Sequence, residues 1–298
     1  MMVAAVATVG GVQVPGASAE EQICPSVAVV VARGSDQNEE FEPTSYSPES
    51  PWTSNGYEER NVRAFLHFAE ARHREQTGES LMKDVQVLGL DDTTYPAEFP
   101  FPVLTEPDED VELPEMTRRV VGTLRETPAH LIARDAATGF VGSLRAGVDN
   151  TVGFIDDWEA ETGCTPGYIL IGYSQGALVL SAQEQALAER GQLIGSLYLG
   201  NPLLATGDAA VVGDPRRGGG LMSSVPSAVV VDSQHLNYCV TDDFVCDVTP
   251  SAVKDALNGK GGVHARYFLD IEENGHSDAD AEVADIFAEW VTGYSPHP

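Results

Sequence analysis

Hydrophobic positions along this chain follow two patterns, short unbroken runs and longer stretches with helical spacing. The short runs are rich in Val, Ile and Leu and predict strands buried on both faces at 27–31, 85–88, 168–171, 194–199 and 228–232. Apolar residues three or four positions apart predict helices at 61–74 and 138–161, from Gln175 to Gly191, and after an N-cap at Ser277. Strands that alternate with helices favour an α/β fold, with a mostly parallel central sheet and helices on both faces.

Two long polar stretches, at 36–62 and 91–118, interrupt this pattern. The first is rich in Pro, Ser and Glu and the second carries several prolines, so both predict loops. The acidic cluster Asp108–Asp110 lacks the spacing of an EF-hand, and a solvated surface is favoured over a calcium site. Both loops have the length to rim or cover a functional site.

The composition favours one large exported domain. A chain of 298 residues, 42% of them hydrophobic, can build a single core, and we assign residues 20–298 to one domain. Residues 1–19 carry no charge and end in Ala17-Ser18-Ala19, as a signal peptide ends at its cleavage site. Glycines and a proline interrupt this segment too often for a membrane span. A net charge of −29 disfavours nucleic acid and anionic lipid as direct partners.

The four cysteines favour disulfides in an oxidising compartment. Cys239 and Cys246 flank a short loop, and pairing them leaves Cys24 for Cys164. A metal site is the alternative, but the cysteines form no C-x-x-C motif and no histidine stands at ligand spacing. The sequence therefore predicts two disulfides and no metal.

A candidate nucleophile lies where the strand at 168–171 ends. The residues that follow, 172–176, read G-Y-S-Q-G, and helical spacing begins directly after the serine. In a nucleophile elbow, two glycines permit a tight turn that exposes the serine hydroxyl. The three matching letters are a weak signal alone, but a strand before and a helix after form the setting that an elbow requires. Ser174 is therefore the candidate nucleophile.

A serine hydroxyl needs a base that takes its proton and an acid that orients that base. In chains with a nucleophile elbow, the acid and then the base follow the serine along the sequence. The acid candidates, Asp242 and Asp243, lie in the loop that the close cysteine pair encloses. His235 precedes this loop and is out of order. The histidines that follow it are His264, His276 and, next to the chain end, His297.

Four motifs, in this order, resemble the cutinase family of serine esterases, specifically the secreted cutinase-like proteins of actinobacteria. They are R-G-S at 33–35, G-Y-S-Q-G at 172–176, C-x-x-x-D-x-x-C at 239–246 and H-x-x-Y at 264–267. The resemblance spans most of residues 20–298 and implies an α/β-hydrolase fold. The family also shares the cysteine pairing inferred above.

The resemblance implies roles for individual residues. Ser174 becomes the nucleophile, Asp243 the triad acid and His264 the base. The backbone N–H groups of Ser35 and Gln175 become the oxyanion hole, which stabilises the tetrahedral intermediate.

Two alternatives stay open within this assignment. His276 remains the alternative base, because the spacing from Cys246 to His264 is longer than in the compact fungal members. Asp242 remains the alternative acid.

These observations predict a secreted or envelope-associated carboxylic ester hydrolase that works through an acyl-enzyme and needs no cofactor or metal. Lipid or polyester esters, of the cutin or cell-envelope type, are the expected substrates, and a monomer is the expected state. The apolar residues Phe99, Phe101, Val103 and Leu104 either supply an acyl site or anchor their loop. Acyl transfer by the same triad and a non-catalytic envelope binding protein are the alternative functions.

Overall fold

A parallel sheet forms the centre of the computed structural model, which describes residues 23–98, 129–213, 219–224, 234–249, 251–252 and 262–295. Within these residues the sheet has six strands in the order β2-β1-β3-β4-β6-β5, and neighbouring strands pair in parallel. The strands are β1 (Val27–Ala32), β2 (Val85–Gly89), β3 (Gly167–Tyr173), β4 (Leu193–Leu199), β5 (Val211–Val212) and β6 (Gln234–Tyr238).

Helices cover both faces of this sheet. The helices in the described residues are α1 (Arg60–Thr77), α2 (Ala129–Thr162), α3 (Gln175–Ser181), α4 (Glu184–Glu189), α5 (Ile271–Asn274) and α6 (Asp278–Gly293). Short 3₁₀ segments lie at Met82–Asp84 and Gly262–Arg266. None of the described helices is both long and apolar enough to cross a membrane.

Alternate residues of each central strand enter different cores. In β1, Val27, Val29 and Val31 pack in the cluster that contains apolar residues of α1 and α6. Ala28 and Val30 pack in the second cluster, with residues of α2, α3 and α4. Because both faces are buried, the strand sequence is an unbroken apolar run. The predicted α/β architecture, with helices on both faces of a parallel sheet, is confirmed.

Most predicted elements appear within a few residues of their expected limits, but several differ. The helix predicted at 138–161 begins nine residues earlier, at Ala129, and the short strand β5 was not predicted. The helix expected from Gln175 to Gly191 is interrupted at Ala182 and Gln183. Gln183 is buried at this interruption, and its side-chain amide donates to the carbonyl oxygens of Val148 and Val179, both at 3.1 Å. Side-chain hydrogen bonds thus satisfy these two carbonyl groups where the helix is interrupted. Strand β6 was not predicted, and the strand expected at 228–232 lies outside the described residues.

Both predicted disulfides are present, Cys24–Cys164 and Cys239–Cys246. The first joins the chain before β1 to the chain before β3, and the second closes the loop after β6. The segment 1–19, the acidic cluster 108–110, the apolar residues of the 99–104 stretch and His297 lie outside the described residues.

Helix α1 begins at an unusual N-cap. Glu59 has a φ of 63°, and its Oε2 accepts the backbone N–H of Asn61 at 2.7 Å. Its Oε1 is buried without a hydrogen-bond partner among the described residues. Burial raises the pKa of this carboxyl from 4.5 to about 7, against the opposing effect of the hydrogen bonds at the helix start.

We therefore expect Glu59→Gln to stabilise the protein more at about pH 8 than at about pH 5. Between the unfolded and folded pKa values the unfolded chain binds fewer protons, so wild-type stability falls as pH rises through this window. A neutral glutamine avoids that loss, which we expect to be worth about 2–3 kcal/mol at the higher pH. Thermal unfolding at both pH values measures it, with the exposed Glu79→Gln as control. An equal effect of Glu59→Gln at the two pH values would contradict the buried, neutral carboxyl.

Candidate active site

The candidate site lies at the carboxyl ends of four neighbouring strands. Ser35 follows β1, Ser174 follows β3, Gly200 follows β4 and the Cys239–Cys246 loop follows β6. In open parallel sheets, this edge is where loops converge and ligands bind. The topology therefore brings together segments that are far apart in the sequence.

Ser174 occupies a tight turn between β3 and α3, with φ 53° and ψ −116°. This left-handed region is strained for a serine. A Cβ on Gly172 would lie 2.6 Å from the Cα of Ala177, and a Cβ on Gly176 would lie 1.9 Å from the carbonyl oxygen of Ala32. Both glycines are thus required for the turn, as the nucleophile-elbow interpretation expects.

His264 bridges the serine and a carboxylate. Its Nε2 lies 2.9 Å from Ser174 Oγ, and its Nδ1 lies 2.8 Å from Asp243 Oδ2. The imidazole stacks on the ring of Tyr173 at 5.1 Å between centroids and meets the edge of Phe244 at 5.4 Å. Its side chain is only 11% exposed, so two aromatic rings and the surrounding loops fix its orientation.

Asp243 is fully buried in the loop that the disulfide closes. Its Oδ1 accepts the backbone N–H of Val245 at 2.8 Å, and its Oδ2 accepts the Tyr267 hydroxyl at 2.6 Å as well as facing His264. A buried carboxylate needs such donors, because water cannot solvate it there.

The segment that carries His264 is tied to distant parts of the chain. The hydroxyl of Tyr173 donates to the backbone carbonyl oxygen of His264. Asn61, at the start of α1, donates through its Nδ2 to the carbonyl oxygens of Ala265 at 3.2 Å and Tyr267 at 2.8 Å. The sequence assigned no role to the side chains of Tyr173, Asn61 and Tyr267. Tyr173 and Tyr267 lay in the motifs G-Y-S-Q-G and H-x-x-Y, but no motif contained Asn61.

Ser35 and Gln175 face the same cavity as Ser174. The Ser35 hydroxyl donates to Gln175 Oε1 at 3.0 Å, which links the loop after β1 to the start of α3. Neither backbone N–H group donates a hydrogen bond to an acceptor among the described residues. Their role as oxyanion donors stays a prediction.

Arg33 anchors the loop that carries Ser35. Its guanidinium is buried and donates to Asn38 Oδ1 and to the carbonyl oxygen of Tyr95, with an ion pair to Asp92. Burial lowers the pKa of this guanidinium, and the charge of Asp92 opposes that effect. The buried guanidinium of Arg33 therefore holds the loop after β1 in place.

The alternative acid, Asp242, and the alternative base, His276, have other partners. His276 is exposed beside α1, 5.4 Å from the Phe68 ring and 3.4 Å from Arg72 Nη1. The backbone N–H of Asp242 donates to Asp247 at 3.1 Å, and its carboxylate accepts the Ser251 hydroxyl at 3.4 Å. Of the predicted pairs, the structure brings Asp243 and His264 to Ser174.

A cavity of about 370 Å³ opens over Ser174 and His264. Most of its wall is apolar, and the side chains of this part include Phe140, Leu178, Pro202, Leu221, Met222 and Phe244. From the described part of the predicted 36–62 loop, Gln37 reaches the wall. A volume of this size is within the usual range for sites that hold small organic molecules.

No family model matches the chain, and no curated protein matches it by sequence. Solved structures align over most of its length. A cutinase-like protein from Cryptococcus sp. is 16% identical, with coverage of 92% of this chain and 97% of the other and a TM-score of 0.40. The catalytic core of the Trichoderma reesei acetyl xylan esterase is 13% identical, with coverage of 91% and 98% and a TM-score of 0.44.

A cutinase from Trichoderma reesei, in complex with a phosphonate inhibitor, is 16% identical, with coverage of 92% of this chain and 78% of the other and a TM-score of 0.41. At these values the alignments carry no argument about individual residues or substrates. The assignment of the fold rests on the sheet and the elbow of this chain.

Gly200 has a function that only the structure reveals. Its φ is +57°, and an added Cβ would lie 2.6 Å from His264 Cε1 and 3.0 Å from Asp243 Oδ2. We expect Gly200→Ala to displace the imidazole and to slow the labelling of Ser174 by a fluorophosphonate at least about 100-fold.

Gly207→Ala is the matched control, because Gly207 also has a positive φ, of +78°, but its Cβ would meet nothing within 4 Å. Its backbone strain is similar, and we expect labelling to remain near the wild-type rate. Equal losses in the two variants would mean that backbone strain, rather than contact with His264, limits the reactivity of Ser174.

Proposed function

We propose that this protein is a serine carboxylic ester hydrolase with Ser174 as nucleophile, His264 as base and Asp243 as acid. The observation that carries the proposal is the hydrogen-bonded series from Ser174 Oγ to His264 Nε2, at 2.9 Å, and from His264 Nδ1 to Asp243 Oδ2, at 2.8 Å. Nucleophile and base within hydrogen-bond reach, with the base oriented by a third group, is the arrangement that nucleophilic catalysis requires.

In the first half of the reaction Ser174 Oγ attacks the ester carbonyl carbon while His264 Nε2 takes the hydroxyl proton. The tetrahedral intermediate collapses, the C–O bond to the alcohol breaks, and His264 gives its proton to the leaving alkoxide. In the second half a water molecule attacks the acyl-enzyme, again with His264 as base. The carboxylic acid then leaves, and Ser174 regains its proton.

The oxyanion would lie between the backbone N–H groups of Ser35 and Gln175. Two features support this part of the proposal, the position of both residues on the cavity wall and the hydrogen bond of 3.0 Å between their side chains. Each such donor typically contributes about 3–4 kcal/mol to transition-state stabilisation.

The cavity wall supports an ester with an apolar acyl or alcohol part. Phe140, Leu178 and Met222 offer hydrocarbon and aromatic surface next to the nucleophile. A net charge of −29 disfavours anionic substrates, so we propose neutral lipid or polyester esters. The two disulfides support action outside the cytoplasm.

Hydrolysis of p-nitrophenyl esters, from acetate to palmitate, tests this function. We expect turnover by wild type, and losses of at least about 10³-fold in kcat for Ser174→Ala and His264→Ala, because each removes a group that moves in the reaction. The chain-length profile reports how much of the acyl group the cavity accommodates.

The chain offers matched controls for both partners of the serine. His276→Ala and Asp242→Asn should retain near-wild-type turnover, whereas Asp243→Asn should not. An inactive His276→Ala variant would instead assign the role of base to His276, two residues before α6. A wild-type protein that hydrolyses no ester would reject the function, and product formed only with an added acceptor alcohol would identify a transferase.

A further inference from the structure

One oxygen atom of Asp243 receives two side-chain donors. His264 Nδ1 lies 2.8 Å from Asp243 Oδ2, and the hydroxyl of Tyr267 donates to the same atom at 2.6 Å. Both donors come from one short stretch, because Tyr267 follows directly on the 3₁₀ segment that carries His264. The stretch therefore contacts the carboxylate twice, once with the base and once with a phenol.

Tyr267 is fixed on all sides. Its side chain is 2% exposed, and its hydroxyl accepts the backbone N–H of Val240 at 3.1 Å while it donates to Asp243. The rings of Tyr238 and Tyr173 meet it edge-on at 5.2 Å and 6.0 Å between centroids. Burial, together with the neighbouring charge of Asp243, raises the pKa of its phenol well above 10. The phenol thus remains a donor throughout the pH range in which enzymes work.

We propose that Tyr267 is a positioning residue that holds the Asp243 carboxylate by a permanent hydrogen bond and thereby sets the basicity of His264. The proposal rests on the proposed roles of Asp243 and His264 in ester hydrolysis. It assigns to Tyr267 an action through the acid, since Tyr267 is not among the residues that line the cavity.

The direction of the effect follows from the shared oxygen. Imidazolium is stabilised by the negative charge on Asp243 Oδ2, and a second donor on that atom draws part of the charge to itself. When the phenol hydroxyl is removed, the carboxylate attracts the imidazolium more strongly. The titration midpoint of the His264 ring should then rise, by about 0.5–1 pH unit for the loss of one hydrogen bond.

Other titratable groups pack against this cluster and remain unchanged in the test. Tyr173 on β3 and Tyr238 on β6 are both held protonated by burial, which raises the pKa of each phenol well above 10. Asp247 is buried directly after the loop that the disulfide closes, and its backbone N–H donates to the carbonyl oxygen of Asp243 at 2.7 Å. Glu59, with a pKa of about 7, acts electrostatically on Tyr173.

Two further ionisable groups lie close along the chain. Asp242 occupies the acid loop next to Asp243, and Arg266 is paired with Asp270 at the exposed side of the 3₁₀ segment. Apart from Tyr238, which the control variant below replaces, all these groups are present in wild type and in each variant. A shift confined to one variant therefore reports its own substitution.

The experiment is an NMR titration of the His264 Cε1–H in wild type and in Tyr267→Phe, with the resonance identified from its loss in His264→Gln. We expect the midpoint to rise in Tyr267→Phe, the acidic limb of kcat/KM to move in the same direction, and KM to stay unchanged. An unmoved midpoint in a folded Tyr267→Phe variant would overturn the inference.

Tyr238→Phe is the matched control. It also deletes a phenol hydroxyl that donates to a carboxylate, Asp280 Oδ1 at 2.7 Å, but that carboxylate lies at the start of α6. We expect lower thermal stability and an unmoved His264 midpoint. A shift as large as that of Tyr267→Phe would assign the effect to general loosening of the aromatic cluster and would overturn the inference.

A second variant decides the question if Tyr267→Phe does not fold. Site-specific 3-fluorotyrosine at position 267 keeps the ring and the hydroxyl but makes the hydroxyl a stronger donor, so the midpoint should fall. No fall overturns the inference. The titration needs no substrate, so a protein that shows these shifts but hydrolyses no ester would reject the proposed function while the link between Tyr267 and His264 stands.

Discussion

Close approach of backbone to neighbouring groups at the carboxyl edge of the sheet is the constraint on which the site depends. Gly176 lets the start of α3 pass against the end of β1, and Gly200 leaves room for the His264 ring beside β4. Gly34 does the same next to the Tyr173 ring, where an added Cβ would lie 2.9 Å from Cδ1. Three adjacent strands thus end in glycine-containing turns because the functional groups must crowd into one small volume.

The polar groups brought into that volume are satisfied by the protein itself. Asp243 is wholly buried and receives donors on both oxygens. Asn61 is buried as well, and its amide spans the carbonyl groups on either side of Arg266. Such partners replace the water that burial removes. A site of this kind keeps its charge in a low-dielectric setting, where electrostatic effects on a reaction are largest.

Local patterns made part of this structure predictable. The strands of the centre are apolar runs because both of their faces are buried, and the elbow is readable because strand, turn and helix are contiguous around Ser174. The cysteine pairs followed from their spacing. Strand β6 was not predicted because Asn237 interrupts its apolar pattern. The side chain of Asn237 is nevertheless buried, and its Oδ1 accepts a hydrogen bond from Asn201 at 2.8 Å.

What could not be read from the sequence depends on contacts across the chain. The structure places His264, rather than His276, within hydrogen-bond distance of Ser174, and the rings of Tyr173 and Phe244 pack against its imidazole. No spacing rule in the sequence reveals these contacts. The functions of Asn61 and Gly200 have the same origin, since each becomes apparent only when a distant segment packs against it. Periodicity describes burial, whereas these contacts are set by the tertiary arrangement.

The hydrogen bonds of Asn61 also bear on the order in which activity can arise during folding. They join the start of α1 to a segment more than 200 residues later, with a separation of 206 positions for the bond to Tyr267. The elbow has a long-range contact of its own, because Gly176 packs against Ala32 at the end of β1. Such contacts form only when the chain between the two segments has closed into a loop. A partly folded chain can therefore hold Ser174 and His264 apart. In the proposed mechanism, the reactivity of Ser174 requires the completed fold.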